Sequence, residues 1–381
     1  MVEPGHIGNL TAAQEEALQK LRTVAAEEVA KLSMNTEEEW LNLWGVSMQN
    51  LATDTKNKAQ TVLLLKFLRA RDFDVQKATQ MIIDTLKWRK EFNIVGLMNE
   101  TFPKAYDELG VVYGQDRLGN PVTYNFYGTI GATEVVSNPD RFVRWRVQLM
   151  EKAVAQLDFA NGKETVTQIH DYAGAGLSMP KELKGTTKEI ISLFQDHYPE
   201  FLEKKLFLNI PAVMELFFNF FSSFSSRRTQ QKFQMVSRTK GRATLLQFIA
   251  PTELPPQLGG FANGDSGTLS RSAGSMISDE KGDKGEVVSV DIAARTDKEV
   301  KLAVQSGDEV EWEVMATTHD IGVGIKILNG DVETEEKKVE LVEFGRGSFV
   351  AKEGGEAVLV LSNTHSYLTG KTVLYRFRVK K

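Results

Sequence analysis

A chain of 381 residues is too long for one ordinary hydrophobic core, so two domains and a tail are expected. Its 41% hydrophobic and 25% charged content suits a folded protein, and a net charge of −5 excludes the basic excess of a dedicated nucleic-acid binder. The absence of cysteine excludes disulfides, thiolate nucleophiles and cysteine-ligated metals, and it fits a reducing, cytoplasmic setting.

In chain order, residues 1–10 lack a basic stretch followed by an apolar run, so no secretory signal is expected. Thr11 and Gln14 form a capping-box pattern that opens a helix over 11–32, rich in Ala, Glu and Lys. Nine acidic residues against five basic over 1–58 give residues 1–35 the character of a solvated, acidic helical arm. Thr36 and Glu39 repeat the capping pattern and open a short helix containing Trp40, Leu41 and Trp44. Two periodic helices then complete a helical region over 36–95. Leu64, Phe67 and Leu68 mark the first, Ala78, Met81, Ile82, Leu86 and Trp88 the second, and the break falls at Arg71-Asp72-Phe73.

From 96 to 262 the period alternates. Strands are predicted at 122–127, 165–170, 205–210 and 232–236, and helices at 138–159, up to about residue 197, and at 243–249. Such alternation means an α/β domain with a largely parallel sheet. Residues 263–286, rich in Gly, Ser, Asp and Lys, form a linker. Beyond it the period becomes 2: Val310, Trp312 and Val314 alternate with Glu309, Glu311 and Glu313, and Ile321, Val323, Ile325 and Ile327 continue the pattern. Residues 287–381 are therefore predicted to be a separate all-β sandwich.

Catalytic signatures are missing: there is no G-x-S-x-G elbow, Walker A loop or H-E-x-x-H pair. The five histidines (His6, His170, His197, His319, His365) are scattered. His170-Asp171, at a strand end, is the best catalytic candidate, although a hydrogen-bonded structural histidine is the favoured reading. His197 closes a helix before Pro199. Neither a catalytic role nor a metal is expected.

Five of the 21 phenylalanines, Phe217, Phe218, Phe220, Phe221 and Phe224, fall in one short segment and spread over more than one helix face. The apolar stretch 210–224 contains Pro211, Glu215 and Asn219 and is shorter than the ~20 residues needed to span a bilayer. Two readings stay open. Either the helix is fully buried, or one face meets an internal apolar cavity and the other a membrane or a mobile lid position. Arg227, Arg228 and Lys232 follow directly, and residues 200–242 hold eight basic residues against three acidic. That pairing suits an anionic lipid surface, where each cation adds roughly 1 kcal/mol.

The run Leu64-Leu65-Lys66-Phe67-Leu68-Arg69-Ala70-Arg71-Asp72-Phe73-Asp74, followed by Lys87-Trp88-Arg89-Lys90, resembles the helical lead-in of the CRAL-TRIO lipid-binding family. Asp196-His197-Tyr198-Pro199-Glu200, residues 206–211, Thr229-Gln230-Gln231-Lys232-Phe233 and Leu254-Pro255-Pro256-Gln257-Leu258-Gly259-Gly260 continue the resemblance in order. The ending Val373-Leu374-Tyr375-Arg376-Phe377-Arg378 resembles a GOLD module. CRAL-TRIO followed by GOLD, behind an acidic arm, is similar to the patellins.

The resemblance implies a phospholipid or phosphoinositide held on the sheet beneath a movable gate helix, with 211–226 at the gate and Arg227 and Arg228 beside it. It implies that Arg71, Thr229 and Lys232 hold the headgroup phosphate, since cations neutralise it and a hydroxyl adds a directed hydrogen bond. Glu200 is implied as an acceptor for inositol hydroxyls, and Asp116 as a further headgroup residue.

In the β domain, Lys371, Arg376, Arg378, Lys380 and Lys381 stand with no acid over 365–381. They form either a second weak membrane contact or a charged edge strand. The implied function is phosphoinositide binding, with transfer, at phosphoinositide-containing membranes on cytoplasmic faces. It includes roles in membrane trafficking and cell-plate formation, with protein partners at the GOLD domain. The alternatives are a membrane-recruited interaction adaptor with a small hydrophobic-ligand pocket, and an enzyme using His170 or Asp171.

Overall fold

The computed structural model describes residues 3–33, 38–128, 135, 137–175, 181–210, 232–236, 241–255, 258–260, 287–317 and 319–380. The chain divides into two compact units, Met1–Val236 and Ser237–Lys381.

The first unit begins with helix α1 (Ala12–Ser33), opened by the capping box: the Thr11 amide donates to Gln14 Oε1 and the Gln14 amide to Thr11 Oγ1. The solvated arm expected here is corrected. Leu18, Leu21, Ala25 and Val29, spaced three or four apart, form a buried stripe, and Arg22 reaches the Leu51 carbonyl and Thr61 Oγ1. The excess of acids lies on the other face and masked that stripe in the composition. The short helix expected through Trp44 is corrected: a single 3-10 turn, Glu38–Leu41, gives way to a hairpin, β1 (Asn42–Leu43) and β2 (Val46–Ser47), turned by the left-handed Trp44 and Gly45, before helices α2 (Lys58–Ala70) and α3 (Val75–Glu91). Asn57 and Asp74 cap the two helices from their side chains. The left-handed residues Asp72 and Phe73 turn the chain between them. Helix α4 (Ile94–Leu97) then leads into the sheet.

That sheet runs in the order β3 (Gly110–Gln115), β4 (Pro121–Phe126), β5 (Val166–Asp171), β6 (Leu202–Leu208) and β7 (Phe233–Val236). Only the β3–β4 pair is antiparallel; β4 to β7 are parallel, as the strand–helix alternation required. Helices α5 (Pro139–Val154) and α6 (Lys181–His197) make the crossovers, and α5 starts with Asn138 as cap and Pro139 in the first turn. The phenylalanine segment, Thr229, Arg227 and Arg228 lie outside the described residues, as does the whole linker.

The second unit holds two four-stranded antiparallel sheets. One has the order β13 (Phe344–Val350), β10 (Glu309–Ala316), β15 (Lys371–Val379), β8 (Val288–Ile292). The other has the order β12 (Val332–Val342), β11 (Ile321–Asn329), β14 (Gly355–Ser362), β9 (Asp297–Val304). Trp312, Val314, Ile321, Val323, Leu359 and Leu361 fill the space between them, matching the predicted sandwich of the GOLD type. The Trp312 ring lies against Gly345 and Gly347, where an added Cβ would sit 3.0–3.1 Å from it, so those positions need glycine for close approach. Helix α7 (Gly241–Phe248) belongs to this unit, with Leu246 packed on Met315 and Leu374.

Candidate functional site

Two adjoining groups of charged side chains stand out in the first unit. The first lies where α2 meets the turn after Tyr198-Pro199. Lys66, fully buried, donates to the Glu200 carbonyl at 2.9 Å and lies 3.5 Å from Glu164. Arg69 pairs with the same carboxylate at 3.1 Å and donates to the Gly5 carbonyl. Burial drives the Lys66 pKa down to about 7, although Glu164 opposes the shift. Burial also opposes ionisation of Glu164, but Lys66, Arg69 and His6 together hold it below the usual carboxylate range.

Two of the expected headgroup residues lie near this cluster. Lys232 and Glu200 are within electrostatic reach of Lys66, so the structure brings these two together. Lys232 Nζ donates to the Leu202 carbonyl, and Glu200 occupies a left-handed turn at φ 56°. Arg71 ends α2, half-buried, and among the described residues its guanidinium donates only to the adjacent Ala70 carbonyl. Asp116 is a correction. Its Oδ1 accepts from the Leu118 and Asn120 amides and its Oδ2 from Asn120 Nδ2 and Thr167 Oγ1. With both oxygens occupied it shapes the β3–β4 turn and has no capacity left for a ligand. Lys66 and Glu164 escaped sequence reasoning, because helix periodicity places Lys66 on the buried face without naming a partner.

The second group lies on one face of the sheet. Register aligns Asn125, His170 and Phe207 in one row and Thr123, Gln168 and Lys205 in the next. Arg146, from α5, donates to Asn125 Oδ1 at 2.7 Å. His170 is buried, with Nδ1 2.9 Å from the Tyr127 hydroxyl and Nε2 3.4 Å from Gln168 Oε1. A neutral ring protonated on Nε2 satisfies both partners. Burial, then Lys205 and Arg146, push its pKa well below 6.5. Asp171 accepts from the Ala173 amide and Asn209 Nδ2. Both ring nitrogens of His170 thus have partners, in keeping with the favoured reading of a hydrogen-bonded histidine.

A pH dependence follows. The Lys66 and Lys205 pKa values both fall to about 7, chiefly through burial, against an ordinary value of 10.5. Between about pH 7 and 10 the unfolded chain therefore binds more protons than the folded one, and stability must rise with pH across that window. A gain on the order of 1 kcal/mol per pH unit is expected in urea titrations between pH 7 and 9.5, with a smaller slope in Lys205→Met. A flat profile would contradict the buried lysines.

The basic patch of the second unit is also corrected. β15 is an interior strand, not an edge, and its register sets Arg376 opposite Glu313 and Arg378 opposite Glu311. Arg376 lies 3.0 Å from Glu313, Arg378 3.2 Å from Glu311, and Lys380 3.3 Å from Glu309. Lys371 is buried, donates to the Asp320 carbonyl and borders a polar cleft of about 430 Å³ with His319, Glu343 and His365. The cations are spent on neighbouring acids and carbonyls, which removes the free patch that membrane contact requires; Lys381 lies outside the described residues.

Among the described residues no group of three or more His, Asp or Glu side chains is placed to hold a metal. No described helix is long and apolar enough to cross a membrane.

Comparison with known proteins places this geometry in a family. Residues 17–84 match the CRAL/TRIO N-terminal domain and residues 106–260 the CRAL/TRIO domain. Patellin-5 of Arabidopsis thaliana is 30% identical over 99% of this chain, which spans 55% of that protein's length. Patellin-6 of the same species is 31% identical over 98% of this chain, which spans 89% of it. The phosphatidylinositol transfer protein SFH5 of Scheffersomyces stipitis is 36% identical over 52% of this chain and 66% of its own length. The crystal structure of Sfh5 superposes with a TM-score of 0.55 at 28% identity, covering 62% of this chain and 84% of that one. With a helical lead-in, a mixed sheet dominated by parallel strands and a near full-length match to Patellin-6, the chain belongs to the patellin family of CRAL-TRIO proteins.

Proposed function

We propose that this chain binds a phospholipid with an inositol or inositol-phosphate headgroup and carries or presents it at cytoplasmic membrane faces, in membrane trafficking. The observation that carries the reading is Arg71. Among the described residues its guanidinium has no carboxylate partner, whereas Arg69, two residues earlier, is committed to Glu164. A half-buried cation left over at the end of α2, the helix that carries Lys66, suits a phosphate that arrives from outside. The phosphatidylinositol transfer activity in the name of the SFH5 relative supports the same headgroup class. Thr229, three residues before Lys232, is proposed as the hydroxyl partner, and the segment at 211–226 as the gate.

Arg71→Ala and Lys232→Ala are each expected to weaken binding to liposomes containing phosphatidylinositol 4-phosphate about tenfold, with phosphatidylcholine binding changed less than about twofold. Arg71→Ala should leave the urea midpoint unchanged, because among the described residues the side chain donates only to the neighbouring Ala70 carbonyl. Equal loss for both lipids with a lowered midpoint would point to a folding defect. Undiminished inositide binding in both variants would sink the assignment.

A further inference from the structure

Among the described residues the two most exposed large apolar side chains are neighbours. Leu368 is 95% exposed and Tyr367 72%, at the tip of the loop that joins β14 to β15 in the second unit. A turn tip ordinarily carries glycine or small polar residues, and one stray exposed leucine would need no account. An adjacent pair at an apex does.

The loop that presents them is braced. Asn363, fully buried, holds its Nδ2 within 3.2 Å of the Ile292, Ala293 and Thr369 carbonyls. Its amide donates to the Thr296 carbonyl, and its own carbonyl accepts from the Arg295 and Ser366 amides. Ser366 Oγ donates to the Thr369 carbonyl at 2.9 Å and closes the tip. The β14–β15 loop and the β8–β9 turn are thereby one piece, so the cost of ordering the tip is met before anything binds.

The charges around the tip narrow what it meets. Arg295, in the β8–β9 turn, stands 4.7 Å from the centre of the Tyr367 ring. Neither 293–296 nor 363–371 contains an acidic residue. Asp320, the carboxylate beside His365 and Lys371, is taken up by both of them. Leucine, tyrosine and arginine at an apex without acids match the boundary of a bilayer. The leucine enters the acyl region, the phenol suits headgroup depth and the guanidinium meets lipid phosphate. A protein groove fits less well, because a stable protein contact takes about 800 Å² per partner and two side chains on a convex tip offer far less.

We propose that the Tyr367–Leu368 loop is where the second unit enters a lipid bilayer, with Arg295 at the level of the phosphates. This contact makes no use of the β15 cations, which are paired. It deepens the lipid-binding reading, on which it rests for the nature of the surface, by naming where such a carrier touches the membrane.

The full chain has no cysteine, so Leu368→Cys directs an environment-sensitive thiol dye to the tip alone. Lys352→Cys, in the turn before the opposite end of β14, is the control. With vesicles of phosphatidylcholine and phosphatidylinositol, the dye at position 368 should shift to the blue and be quenched by lipids brominated on their acyl chains. The dye at position 352 should do neither. Without dye, Tyr367→Ser combined with Leu368→Ser should bind these vesicles about tenfold more weakly, and Arg295→Gln about fivefold. The melting temperature of the double variant and the lipid recovered from it should match wild type, because both side chains are exposed. Undiminished vesicle binding by the double variant, binding without a shift at 368, or an equal shift at 352 overturns the tip and leaves lipid binding standing. A shift raised by a vesicle-free protein extract and not by vesicles assigns the tip to a protein groove and also overturns it. If wild type binds no vesicles but yields lipid on extraction, the tip alone falls. No vesicle binding and no extracted lipid overturns both.

Discussion

Replacing Glu151 by alanine is expected to destabilise the first unit by about 3–5 kcal/mol, the range for removing one partner of a buried charge pair. Glu151 is 6% exposed and ties four segments together. Arg89 of α3 grips it with both guanidinium nitrogens at 2.7 and 3.0 Å, Trp44 Nε1 donates at 3.1 Å, and the Tyr198 hydroxyl donates at 2.6 Å. Alanine would leave Arg89, 13% exposed at its side chain, without its counter-charge and two further donors without an acceptor. Urea unfolding followed by tryptophan fluorescence reports this directly, since Trp44 is one of the donors. Glu151→Gln keeps an acceptor but loses the charge, so it should fall between wild type and alanine. A loss below about 1 kcal/mol for the alanine variant would show that water replaces the carboxylate cheaply.

Glu313→Ala should cost the second unit about 3–5 kcal/mol for the same reason. Arg376 and Glu313 are among its most buried side chains, 2% and 4% exposed, and face each other across β10 and β15. Burial raises the Glu313 pKa despite Arg376, Arg346 and Arg378 nearby, so the carboxylate is ionised there only against resistance. The pair as a whole is therefore worth little, and removing both halves should be tolerated far better than removing one. Glu313→Leu combined with Arg376→Met is expected to recover most of the loss, measured as a double-mutant cycle on the thermal midpoint. Additive losses would mean that the two side chains act independently of each other.

These two clusters mark the limit of pattern reading. The periodicities at 2 and 3.6 residues placed the long helices and the central strands, down to the Asn138-Pro139 start of α5 and the Thr11–Gln14 capping box, but gave no strand at β3, β9, β12 or β13 and a helix where the β1–β2 hairpin lies. They also separated the α/β region from the sandwich. Composition misled at α1, where an acidic surplus hid a four-residue apolar stripe. It misled again at β15, where five cations with no acid in their own segment suggested a free patch. The neutralising glutamates come from β10, about sixty residues earlier, and only antiparallel register sets them opposite.

The sequence by itself determined the long helices, the central strands, the succession of an α/β region and an all-β region, and the family, because these depend on local spacing and on motifs that stay contiguous along the chain. Tertiary structure alone decided which charges are already neutralised and which are not. Arg69, Arg376 and Arg378 are paired, Asp116 is consumed by its own turn, and Arg71, Arg146 and Lys205 are left without a carboxylate among the described residues. The physical reason is that a charge's partner is set by distance in space. Strand register and crossover helices bring together residues whose separation in sequence carries no trace of that contact.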